Sequence, residues 1–207
     1  MLDVLFPPRC VLCSCPGVGL CGDCASALTP APEMDPPDDL DDLAALCDYE
    51  GSGRDLVLAL KRRNRRDAVG LLGRSLATAL AAPTPDHAPA AVTWAPTTTD
   101  RRRARGFDQA EELAKAVARS AGLPCRRLLA RRGGGPQHGR NRAQRLAGPG
   151  FVPIGWVPRG VVLVDDVVAS GATMSAAAAA LRRGGAHRVV GLALARSDGT
   201  GSGAAQS

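Results

Sequence analysis

The chain has 207 residues, enough for one globular domain of ordinary size with a small appendage of about 40 residues. No run of about 18 uncharged apolar residues occurs, and residues 1–7 lack the basic head and long apolar core of a leader, so a soluble, cytoplasmic protein without membrane insertion is expected. The net charge of +6 is polarised, with ten basic residues and no acidic one between positions 113 and 164 and nine acids against one Arg between 33 and 55, which suits an anionic ligand, a nucleic acid or a solvated arginine-rich surface.

In chain order, residues 1–30 hold five of the seven cysteines and read as a compact knuckle. Cys10 and Cys13 form one C-x2-C pair and Cys21 and Cys24 a second, seven residues on; clustered thiols in a reducing compartment usually mean metal. Two such pairs on tight turns supply the tetrahedral sulfur set of a structural zinc, and Cys15 is a surplus thiol that could replace Cys13. Residues 31–42 are an acidic, Pro-rich linker in which prolines and like charges oppose regular structure.

A main domain is expected over 43–196, and a Gly/Ser/Ala tail over 197–207 is expected to be disordered. Within the domain, 43–49 reads as a strand, 51–53 as a turn, 54–61 as a helix and 67–81 as a second, amphipathic helix after the basic run 61–66. Residues 91–95 form a candidate strand, ended by Pro96, and 97–107 lack periodicity and read as a loop. Asp108 and Glu111 form a capping box for a helix to Ser120, which Gly122 and Pro124 stop. The continuous apolar run 161–164 is a strand buried on both faces; 172–183 is helical, and 189–195 is a further strand. This β-loop-α-β order implies an α/β fold with a parallel sheet flanked by helices.

The strand at 161–164 delivers two adjacent carboxylates, Asp165 and Asp166, followed by a loop of small residues and a helix N-terminus. Helix N-termini beyond the carboxyl ends of parallel strands bind phosphate through unpaired N–H groups. Ala169, Ser170, Gly171, Ala172 and Thr173 are small enough for the backbone to close around one, with two hydroxyls to assist. Carboxylates repel phosphate but accept hydrogen bonds from a vicinal diol, so acid pair and loop together describe a 5-phosphoribosyl group. Metal ligation or acid-base work is the alternative for the two acids.

The run from Val161 to Thr173 resembles the binding motif of type I phosphoribosyltransferases: four apolar residues, two acids, two further residues and a Thr/Ser-Gly-x-Thr loop. That resemblance implies a phosphoribosyltransferase-like fold, a grip on the ribose hydroxyls by Asp165 and Asp166, and magnesium arriving with the diphosphate of 5-phosphoribosyl 1-diphosphate. It also implies that Pro96 and Thr97 meet the diphosphate and that 98–107 forms a hood, whose Arg101, Arg102, Arg103 and Arg105 neutralise the leaving group or are merely solvated. Gln109 is the hood-helix residue placed to touch a ligand, unless it faces solvent. Purine-salvage members carry an acid where Ala169 stands, which argues against purine salvage.

The knuckle ahead of such a domain is similar to the ComF family of competence-related proteins. Supporting segments are Leu5-Phe6-Pro7, Leu58-Ala59-Leu60-Lys61, Arg105-Gly106-Phe107-Asp108-Gln109-Ala110, and 137–145 with Phe151. Ala95-Pro96-Thr97 departs from the usual Pro-Val-Pro, Asp108 from Asn, and Gly148 from a frequent Asn. The resemblance implies either transfer of a phosphoribosyl group to an unidentified acceptor or a non-catalytic role in uptake of single-stranded DNA with the competence machinery. Only six aromatic residues speak against base stacking.

Overall fold

The computed structural model describes residues 8–33, 35–62, 66–80, 88–132 and 150–197. The expected tail beyond residue 197 and the segment 137–145 lie outside the described residues. The elements are α1 (Gly22–Ser26), β1 (Asp42–Asp48), α2 (Gly51–Arg62), α3 (Arg66–Thr78), β2 (Ala91–Trp94), α4 (Thr99–Arg105), α5 (Gln109–Ala121), β3 (Leu129–Arg131), β4 (Phe151–Pro153), β5 (Gly160–Val168), α6 (Ala172–Arg183) and β6 (Arg188–Arg196).

Among the described residues, β1, β6, β5 and β2 form, in that spatial order, a fully parallel sheet. Parallel strands need crossovers, and the helices that supply them cover both faces. The apolar run of β5 shows why: Val162 and Val164 join the core under α2, α3 and α5, whereas Val161 and Leu163 join the core under α6. A strand with two buried faces cannot alternate apolar with polar, and this one does not until Asp165. A short antiparallel pair, β3 with β4, packs beside α6 and was not expected from the sequence.

Three expectations are corrected. Gly51 to Gly53 are the first turn of α2 and not a separate turn. Gly53 is there for close approach, since a Cβ on it would overlap the Asp48 carbonyl oxygen. The segment 97–107 contains α4, a seven-residue helix with no buried residue, so no apolar stripe announced it; Thr98 caps it by accepting from Arg101 N, and Gly106 closes it at φ 78°. Finally, β5 continues past Val164 to Val168, because β6 is equally long and pairs with it through Asp165, Val167 and Val168.

Candidate functional site

All four strands end on one edge of the sheet, so residues far apart in sequence meet there. Asp165 and Asp166 are consecutive near the carboxyl end of β5, and Ala95 N donates to Val164 O, which sets the 96–97 loop next to the acid pair. Asp165 is buried and its Oδ1 accepts from Asp166 N at 2.8 Å. Burial first, and the Asp166 charge second, push its carboxyl well above the usual carboxylate range. Asp166 is half-buried and its Oδ2 meets Lys61 Nζ of α2 at 2.6 Å. Lys61 is a site residue that the sequence reading missed; nothing local connects position 61 to position 166.

After Val168, Ala169 and Ser170 are exposed and Gly171 turns the chain at φ 73°, so that Ala172 and Thr173 open α6. No side chain caps this helix, so the N–H groups of its first turn stay open to an anion. Gly171 itself is buried, by Pro37: a Cβ at Gly171 would lie 2.7 Å from Pro37 Cγ. The acidic linker thus walls one side of the small-residue loop. It is pinned there by Arg182, which donates to Asp39 O and pairs with Asp41, by Arg196, which donates to Asp35 O, and by Asp41 Oδ2, which accepts from Val189 N.

On the other side, Asp108 caps α5 by accepting from Ala110 N, and its second oxygen accepts from Thr97 N at 2.9 Å. Burial raises the Asp108 carboxyl above its ordinary range, and these backbone donors oppose the rise. Glu111 does not complete a reciprocal box; its carboxylate meets Arg102 at 3.4 Å and Lys115 at 2.9 Å. Buried Pro96 is held from below, where Arg131 of β3 donates to its carbonyl while lying over the Phe151 ring. The Thr97 N–H is therefore committed, which leaves its hydroxyl for any ligand. Arg101, Arg102, Arg103 and Arg105 are all exposed on α4. Gln109 does not face solvent: it is 4% exposed, and neither its amide nitrogen nor its oxygen has a partner. A buried, unsatisfied amide beside the 96–97 loop is costly unless something binds it.

The knuckle is a separate site built from local parts. The Sγ atoms of Cys10, Cys13, Cys21 and Cys24 all lie within 4.8 Å of one another, and Cys13 and Cys21 are 3.6 Å apart. Four sulfurs at about 2.3 Å from one zinc sit on a tetrahedron with edges of roughly 3.8 Å, so the set fits that ion with no open position. Burial opposes ionisation of Cys10, but donation from the Cys21, Cys13 and Leu12 backbones outweighs it and brings the thiol down to about 6. Cys13 and Cys21 push Cys15 up to about 12, and Cys24 is raised as well, chiefly by Cys21. The sulfur positions decide between Cys13 and Cys15 as a ligand: Cys13 lies in the cluster with Cys10, Cys21 and Cys24, and Cys15 is not part of it.

Two cavities lie away from the acid pair. One of about 740 Å³ lies along the seam where α3 packs on α5 and is lined by Arg74, Lys115 and Arg119 among others. One of about 390 Å³ lies between the knuckle and α2, with Cys13 and Cys24 facing Asp55 and Ala59. No helix among the described residues is long and apolar enough to cross a membrane.

No family model matches the chain. Over 104 residues it is 34% identical to competence protein ComFC of Streptococcus pneumoniae (strain ATCC BAA-255 / R6); that segment is 49% of this chain and 46% of ComFC, so the match spans about half of each. Among solved structures, 62% of the chain aligns with 25% of a chain described as the allosteric regulatory enzyme of purine biosynthesis, at a TM-score of 0.45 and 23% identity. The chain is thus similar over about half of its length to a competence protein, and it sets a four-cysteine cluster ahead of a parallel α/β sheet that carries an acid pair and a small-residue loop on one strand.

Proposed function

We propose that the sheet edge binds 5-phosphoribosyl 1-diphosphate with magnesium, as the first substrate of a phosphoribosyl transfer. The observation that carries this reading is the juxtaposition of Asp165 and Asp166 with the uncapped first turn of α6, across a loop with Gly171 at its centre. The first-turn N–H groups and the hydroxyls of Ser170 and Thr173 would hold the 5-phosphate, and the acid pair the ribose diol.

Asp166 is engaged by Lys61 and Asp165 by backbone, so magnesium is expected to ride on the diphosphate and not on a protein cage. Bound there, it would neutralise charge on the departing group. The C1–oxygen bond breaks, the diphosphate leaves with the electron pair, and an acceptor's lone pair forms the new bond to C1. On this reading the 96–97 loop and the arginines of α4 would face that developing charge, an arrangement that lowers such a barrier.

A second reading, binding of single-stranded DNA as part of competence, is favoured by Trp156, which is 72% exposed within the acid-free stretch 113–164 and offers a face for stacking. One calorimetric series separates the two. Titration with 5-phosphoribosyl 1-diphosphate is expected to give saturable, magnesium-dependent heat that falls on the order of 10- to 100-fold in affinity for Asp165→Asn. Unchanged affinity in that variant discards the site. A short single strand titrated at 50 and 200 mM salt shows steeply salt-dependent affinity if the second reading holds, and a flat response removes it.

A further inference from the structure

Lys61 is the one described cation in an ion pair with the acid pair, and its placement asks for more than a structural role. It occupies the last turn of α2, where a positive side chain complements the helix's own partial negative end. Its ammonium carries three donors, and among the described residues Asp166 is its one ion-pair partner. An arginine there would clasp both Asp166 oxygens with its fork, whereas a lysine is a point charge on a flexible stem that can hold one oxygen and still turn donors to a ligand. The chain uses Lys at only two positions, 61 and 115, against 24 Arg. Lys115 pairs with two carboxylates of its own helix, Glu111 and Glu112.

The two faces of the sheet fix which end of a ligand Lys61 can reach. The anion-cradling turn opens α6, which packs on the face of Val161 and Leu163. Lys61 arrives from α2, on the opposite face with α3 and α5, and so does Asp108, which holds the 96–97 loop. A ribose lying over the acid pair with its 5-phosphate at α6 therefore turns its C1 side toward the face that Lys61 and Asp108 share. Three carboxylates, Asp108, Asp165 and Asp166, stand at that edge, so a polyanion settling beside them gains from a fixed protein cation in addition to the magnesium it carries.

We propose that Lys61 binds the diphosphate on C1 of the phosphoribosyl ligand, with Asp166 holding the ammonium in place before the ligand arrives. This rests on the phosphoribosyl reading of the site, and the test separates the two. Wild type, Lys61→Gln and Lys61→Arg are titrated with 5-phosphoribosyl 1-diphosphate plus magnesium and, separately, with ribose 5-phosphate, which lacks the diphosphate. Lys61→Gln is expected to weaken the first ligand by about 10- to 100-fold and the second by less than about 3-fold, with Lys61→Arg recovering part of the loss. Ribose 5-phosphate binding also reports that the variant is folded. Equal losses for both ligands would assign Lys61 to placing Asp166 and overturn the diphosphate role, as would no loss for either. Failure of the wild type to bind either ligand would overturn the site reading and this assignment with it.

Discussion

The knuckle and the sheet edge solve opposite problems. At the knuckle, the four clustered sulfurs come from residues 10–24, the backbone ties them together through Ser14 N to Cys10 O and Cys21 N to Cys10 Sγ, and they would fill every position of a tetrahedral ion. At the sheet edge, the polar groups come from the linker, α2, the 96–97 loop, the start of α5 and β5 with its loop, and several remain unsatisfied: the Gln109 amide and the first turn of α6. A closed site stabilises; an open one with unmet hydrogen-bonding capacity is built to receive something. On the proposed reading the chain holds one centre for architecture and another for ligands, and each can be attacked separately.

The largest expected effect is at the closed site. Cys10 is fully buried and accepts from backbone N–H, so Cys10→Ser removes a ligand that nothing nearby replaces in position. Small zinc domains draw an apparent 10–16 kcal/mol, roughly, from their metal, so zinc content is expected to drop from stoichiometric to near zero, with the knuckle's own fold lost and the parallel sheet's far-ultraviolet signal retained. Stoichiometric zinc in the variant would break the contrast, because the site would then not be closed by these four sulfurs.

At the open site the expected cost falls on function and the gain on stability. An acid whose native value lies above its ordinary 3.8 keeps its proton longer folded than unfolded. Its contribution to stability is therefore whole below the unfolded value and declines as pH rises through the window up to the raised native value. Asp165→Asn removes that decline while its side-chain oxygen can still accept from Asp166 N. The variant is expected to melt a few degrees above the parent at pH 8, with the difference shrinking toward pH 4, even as phosphoribosyl binding is lost. A parent that is the more stable of the two at pH 8 would show that Asp165 is not held at a stability cost.

What could be read from residue order alone divides along the same line. Cysteine spacing, the cap at Asp108 and the strand-acid-loop-helix run at 161–173 are local patterns, and local patterns fix local geometry. Lys61 against Asp166, Arg131 beneath Pro96 and Pro37 against Gly171 join positions 105, 35 and 134 residues apart, and only the sheet topology brings them together. The strap of residues 35–41 illustrates why. Its prolines and acids forbid helix and strand, yet Arg182 and Arg196 hold its carbonyls in one place. Helix α4 was hidden for a different reason: it is made by its two caps and buries nothing, so it has no apolar period to detect.

The smallest effect tests whether that strap belongs to the open site. Gly171 turns at φ 73°, where a side chain costs roughly 1–2 kcal/mol, and a Cβ there would sit 2.7 Å from Pro37 Cγ and 2.9 Å from Pro37 Cβ, closer than packed atoms allow. Gly171→Ala therefore carries two penalties, one in its own backbone and one from displacing the strap. Pro37→Gly removes both clashing atoms and leaves only Pro37 Cα, at 3.9 Å. In the double variant the clash share of the lost stability and of the lost ribose 5-phosphate affinity should return, while the backbone share remains. The two substitutions are thus expected to be non-additive in a double-mutant cycle, by more than the few tenths of a kcal/mol seen for independent sites. Simple additivity would mean that the linker only rests on the phosphate loop and takes no part in shaping it.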